Sequence, residues 1–89
     1  FGVIAGEPLR LRAVFTRAAG EHLYETPLST DQELTAHGDG HLLLTATVPH
    51  TRSLVWWLLG FGDGVVVEEP AGLRQELAQT AAKMAQAYA

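Results

Sequence analysis

The sequence predicts an α+β domain built on a four-stranded antiparallel sheet, and three stretches carry that prediction. Residues 9–15, LRLRAVF, alternate with the period of two expected of a half-buried strand. The glycine-flanked tip GDG at 38–40 leads into HLLLTATVP, a second alternating run, and together they read as a hairpin. Leu54, Trp57, Leu58 and Phe61 then recur at i, i+3, i+4 and i+7, one stripe of an α-helix.

Taken in order, the first strand turns Leu9, Leu11, Ala13 and Phe15 to a core and Arg10, Arg12 and Val14 to the other face. Residues 17–25 set Ala18, Ala19, Leu23 and Tyr24 among polar residues and stop before Pro27, a short helix in which Gly20 costs roughly 1 kcal/mol relative to alanine. LSTDQ at 28–32 is turn-like, and 33–37 is the first strand of the hairpin. Its second strand turns Leu42, Leu44, Ala46 and Val48 one way and His41, Leu43, Thr45 and Thr47 the other. Thr51 or Ser53 caps the next helix, and Gly60 or Gly62 ends it in a left-handed conformation. VVVEE at 65–69 is a strand stopped by Pro70, and Leu73, Leu77, Thr80, Ala81, Met84 and Tyr88 mark a closing helix of about four turns. The order β-α-β-β-α-β-α begins with the split βαβ, or ferredoxin-like, arrangement. Its right-handed crossovers put the first two helices on one sheet face and leave the other open unless the last helix or a partner covers it.

At 89 residues the chain is read as one domain, 1–89, near the lower end of sizes that bury a sufficient core unaided. A 47% apolar content supports a packed interior, and 18% charged residues is low for a disordered tail. Without cysteine there is neither a disulfide framework nor a thiolate metal site, which fits a reducing cytoplasm, the expected location. Six Lys and Arg against ten Asp and Glu give a formal net charge of −4. Phosphate backbones attract basic surfaces, so this domain is not expected to be a main DNA-gripping element. The longest apolar run, Leu54 to Phe61, is far short of the roughly 20 residues of a spanning helix, and no signal peptide is visible; no membrane role is expected. The chain opens at Phe1 without an initiator methionine and is expected to be a piece of a longer protein.

Candidate sites divide by chemistry. GFGDG at 60–64 has the glycines of a phosphate loop in the wrong order, because such loops follow a strand and open a helix. It reads as a helix stop and tight turn. His22, His37, His41 and His50 form no HxxxH pair; only His37 and His41 flank the hairpin tip, and no metal is expected. Asp31, Asp39 and Asp63 fall in turns, where Asp bonds nearby backbone N–H groups. No nucleophile–base pair or patterned acid pair accompanies them, so no catalytic residue, no cofactor and no enzyme activity are expected. Trp57 belongs to the apolar stripe, whereas Trp56, one position round the helix, is a candidate interface residue or a rim residue. Arg10 and Arg12, with Thr45 and Thr47 beside them, form a candidate ligand or nucleic-acid face. RNA-binding sheets stack bases on aromatics at such places, where this chain has Leu43 and threonines. Two cations there require acidic partners such as Glu68, a ligand, or water.

The ordered set of features resembles the WCX domain, the C-terminal extension found after the WYL domain in bacterial DeoR-type helix-turn-helix transcriptional regulators. FGVIAGEP looks like the family's opening segment before a strand of the LRLRAVF kind. YETPLSTDQEL resembles its turn with a leucine and a glutamine before the second strand. LVWWLLGFGDGVVVEEPAGLRQEL is similar to its signature: helix, glycine turn, valine strand, then Glu-Pro and Leu-Arg opening the last helix. Tyr88 also fits. The family often carries His-Pro-Ser where this chain has Ser29, Thr30 and Asp31, a departure that bears on any contact of the usual histidine and not on the fold.

The resemblance implies a role. In such regulators a winged helix-turn-helix binds DNA, the WYL domain is a proposed sensor of ligand or nucleic acid, and the WCX domain helps to regulate and dimerise. Residues 1–89 are therefore expected to be a non-catalytic regulatory and dimerisation domain of a regulator that acts as a homodimer, with DNA contacted by an upstream domain. The alternative is an effector or single-stranded nucleic-acid binding domain using Arg10, Arg12, Thr45 and Thr47.

Overall fold

The alternating stretch near the start of the chain is strand β1, Pro8–Thr16, in a computed structural model that describes residues 7–89. The opening residues FGVIAG, part of the segment that resembles the family, lie outside the described residues. Thr16 caps the turn after β1, its hydroxyl accepting the Ala19 N–H at 3.2 Å. The helix predicted over 17–25 is a single turn, α1 (Arg17–Gly20), continued by a tighter 3-10 turn over Glu21–Tyr24.

Gly20 explains that shape. A Cβ at this position would lie 2.9 Å from Phe15 Cβ and 3.3 Å from Leu42 Cδ1, so the glycine lets the turn press onto the sheet. Helix propensity registers only the cost of this glycine; the close approach is what the fold uses.

Two hairpin strands come next, β2 (Glu33–Ala36) and β3 (His41–Pro49). Between them Gly38 and Gly40 take φ of 65° and 76°, as a tight tip requires. Helix α2, Arg52–Leu59, is capped by Thr51 rather than Ser53: the Thr51 hydroxyl accepts the Leu54 N–H at 3.1 Å. Gly60 keeps a helical φ of −64°. The left-handed residue is Gly62, with φ of 60°, in a short 3-10 turn over Gly62–Gly64 that delivers the chain into β4 (Val65–Glu69). GFGDG is thus a turn between helix and strand.

The sheet order is β2-β3-β1-β4 with every neighbouring pair antiparallel, the ferredoxin-like arrangement, and β1 and β3 are the central strands. Arg12 pairs with Glu69 while Ala13 pairs with Val67, so Glu68 is an extra residue, bulged out of β4. Leu11, Ala13 and Phe15 of β1 and Leu42, Leu44, Ala46 and Val48 of β3 are buried, together with Leu54, Val55 and Leu58 of α2 and Val67 of β4. Phe15 stands at the centre, its ring 5.2 Å from Phe61 edge-on and 6.1 Å from Trp57.

The closing helix, α3 (Ala71–Ala87), is longer than the four turns expected and packs against β4 and α2. Leu73 is buried and Leu77 half-buried. Beyond them the predicted stripe runs past the body of the domain, leaving Met84 and Tyr88 exposed. The spacing identifies the helix; it overstates how much of its face is covered. No helix among the described residues is long and apolar enough to cross a membrane.

Candidate functional site

The face of the sheet opposite the helices is built from three rows of side chains set by the strand register. Arg10 of β1 stands beside Thr47 of β3, and Arg12 stands beside Thr45, which in turn faces Glu33 of β2. A third row, Thr35, Leu43, Val14 and Val66, is largely apolar. The four residues that the sequence marks as a ligand or nucleic-acid face, Arg10, Arg12, Thr45 and Thr47, therefore lie together on one surface.

Both arginines already have acidic partners. Arg12 Nε donates to Glu68 Oε1 at 2.9 Å, the pairing anticipated from sequence, and the bulge at Glu68 places that carboxylate beside the arginine. Arg10 Nη1 donates to Asp31 Oδ2 at 2.9 Å and lies 3.4 Å from the Thr47 hydroxyl. Each pair is roughly half exposed, and exposed pairs contribute only about 0–1 kcal/mol to stability. Their larger effect is on charge: among the described residues, neither arginine of the face is left unpaired to hold phosphate.

Asp31 is the residue that sequence reasoning undervalues. Turn propensity makes it an ordinary turn aspartate, yet it gathers the Ser29 hydroxyl, the Thr47 N–H at 3.0 Å and the Arg10 guanidinium. These hold its carboxyl well below the usual carboxylate range, the Ser29 hydrogen bond foremost, then the Thr47 side chain and backbone, with Arg10 adding to them. A signal is present in the strand register. Continuing the β2–β3 pairing past Glu33↔Thr45 brings residue 31 opposite Thr47, which is itself opposite Arg10.

The direction of that shift predicts a pH dependence. A carboxyl whose pKa is depressed by folding contributes stability that is present above its unfolded value, about 3.9, and lost as pH falls toward the folded value. Urea midpoints of the wild type and Asp31→Asn should therefore differ at neutral pH and converge as pH drops below about 4. A gap that stays constant through that range would show that Asp31 is not the anchor of this row.

At the far end of the open face, a shallow pocket of about 340 Å³ is lined by His37 and His41 with Val14, Thr16, Asp63 and Glu68. The histidines flanking the tip do share a site, but no group of three His, Cys, Asp or Glu among the described residues is placed to hold a metal. His22 stacks on Phe61 at 5.8 Å, a packing role.

Trp56 is 63% exposed, whereas Trp57 packs onto the core against Phe15 and Phe61. Arg52, one helical turn away from Trp56, places its guanidinium carbon 5.9 Å from the Trp56 ring centre. The indole borders a cleft of about 500 Å³ between α2 and α3, which also contains Val55, Leu59, Glu7 and the His50–Glu76 contact at 3.3 Å.

The fold and this face define a small split-βαβ α+β domain, with one sheet face buried under helices and the other open and internally ion-paired. The chain belongs to the WCX domain family, whose model matches residues 7–85, from the start of β1 through most of α3. That family is associated with WYL-type transcriptional regulators. No curated protein matches the chain.

Proposed function

We propose that the chain is the C-terminal regulatory and dimerisation domain of a cytoplasmic, WYL-type DNA-binding transcriptional regulator that acts as a homodimer, and that it performs no catalysis. The observation that carries this reading is the family match over residues 7–85. The charge distribution supports it: a domain of net charge −4 whose sheet-face arginines are both neutralised leaves the gripping of DNA to another domain.

Such a domain regulates by differential contact. Surfaces occupied in one state of the dimer and free in the other bias the equilibrium by their difference in binding free energy, and nothing else is needed. The exposed Trp56 is the residue we assign to such a contact, since a large amphipathic ring buries much area at little entropic cost. The alternative, an effector or single-stranded nucleic-acid face at Arg10, Arg12, Thr45 and Thr47, is disfavoured by the two ion pairs, which a phosphate would first have to displace.

The test is deletion of residues 7–89 from the full-length regulator, with sedimentation equilibrium and operator titration as readouts. The dimer dissociation constant should rise by about tenfold or more, a coupling of about 1.4 kcal/mol, and operator binding should weaken with it. If dimerisation and operator affinity are both unchanged, the domain is neither a regulatory nor a dimerisation module.

A further inference from the structure

The sheet has two edges, and the chain treats them differently. Strand β2 is four residues long, begins with Glu33, and half-buries only Leu34, so it is short and polar. Strand β4 blocks only its C-terminal half, with the bulged Glu68, then Glu69 and Pro70. Its first half, Val65 to Val67, has no such protection, and Val66 is 57% exposed. Among the described residues, no hydrogen bond joins the main chain of Val65–Glu69 to anything outside the sheet. Among the described residues, the N–H and C=O groups on the outer side of these valines therefore have no partner.

Alongside this edge lies a groove of about 300 Å³. Leu59 of α2 and Leu77, Ala78 and Ala81 of α3 form its far wall, and Val65–Val67 its near one. Among the described residues, Arg74 is the only charged side chain lining it. The ion pairs among the described residues are Arg10–Asp31, Arg12–Glu68, Arg17–Glu21 and His50–Glu76, so Arg74 has no acidic partner there.

We propose that the groove between the free edge of β4 and α3 takes an extended segment of a partner protein, added as a fifth strand, with alternating apolar side chains and an acidic side chain against Arg74. Each part answers one observation. Alternating donors and acceptors along an edge are matched by another strand; apolar walls take every second side chain; an unpaired guanidinium in an apolar groove calls for a carboxylate. The inference stands apart from the regulatory reading, and either can fail without the other.

The probes are two peptides of about ten residues, the upper end of common strand lengths, alternating Val and Thr. One carries Glu at both ends and its twin carries Lys. Each is titrated into the 89-residue chain and followed by backbone amide shifts and hydrogen exchange. The Glu peptide should shift the amides of Val65–Val67 and of α3 around Leu77–Ala81, slow exchange along β4, and bind about fivefold more tightly than its twin. Arg74→Glu should invert that preference. Ala81→Trp, at an exposed helix position, should abolish binding of both peptides while the circular dichroism spectrum is retained. The proposal is overturned if neither peptide perturbs β4, or if the peptides bind at the β2 edge. It is overturned equally if β4 exchange slows with concentration of the chain alone, which would make a second copy the occupant.

Discussion

Phe15→Ala should lower the unfolding free energy by about 3–5 kcal/mol, because it removes a fully buried aromatic ring from the centre of the core. The ring lies between Trp57 and Phe61 on one side and the α1 turn on the other. Its walls come from β1, α2 and the turn after α2, three elements fixed independently by sheet register and by the Thr51 cap, so the cavity has little freedom to collapse. Domains of this size have total stabilities near the lower end of about 5–15 kcal/mol, so the variant should be largely unfolded near 37 °C. Urea denaturation at 25 °C measures the loss directly, with an unchanged slope showing that the denatured state is unaltered. A cost below about 1 kcal/mol would mean that the aromatic group is not the keystone of this core.

Gly20→Ala tests the sign of an effect as well as its size. Judged by helix propensity alone, replacing a glycine within 17–25 with alanine gains roughly 1 kcal/mol. In the folded chain the new methyl group would stand 2.9 Å from Phe15 Cβ, an atom fixed to the backbone of a central strand, and 3.3 Å from Leu42 Cδ1. Relief requires α1 to lift off the sheet, and overpacking of this kind costs about 1–3 kcal/mol. Thermal and urea unfolding should therefore show a destabilised variant. A stabilised one would show that α1 does not press on the sheet as described.

These two positions also show how legibility is distributed along the chain. The alternation of Leu9 to Phe15 and of Leu42 to Val48 identifies the central strands and their buried faces, because period two admits one assignment of sides. The pairing of Arg12 with Glu68 can be anticipated from the strand order; the bulge that delivers the carboxylate cannot, since it changes the residue count of one strand without changing composition. Asp31 is undervalued for a related reason. Its role depends on hairpin register carried past the end of β2 and then across to β1. Local turn propensity accounts for an aspartate at 31 without reference to either.

The last helix gives the opposite lesson. Its spacing from Leu73 to Tyr88 identifies a helix, and Ala71–Ala87 is one. Periodicity states which residues share a face, but not whether anything stands opposite that face. Leu73 and Leu77 pack into the core, whereas Met84 and Tyr88 of the same stripe are exposed.

By itself, then, the sequence determined the strands, the two longer helices, the order of the elements and which residues share a face in each, because backbone periodicity and the excluded volume of apolar side chains act over a few residues. The tertiary structure alone decided which charges cancel, where glycine is required for a close approach, and which edge of the sheet stays open. Those outcomes depend on distances between residues far apart in the chain, such as Arg12 and Glu68 or Val66 and Ala81. They arise only when register, bulge and helix packing are satisfied together.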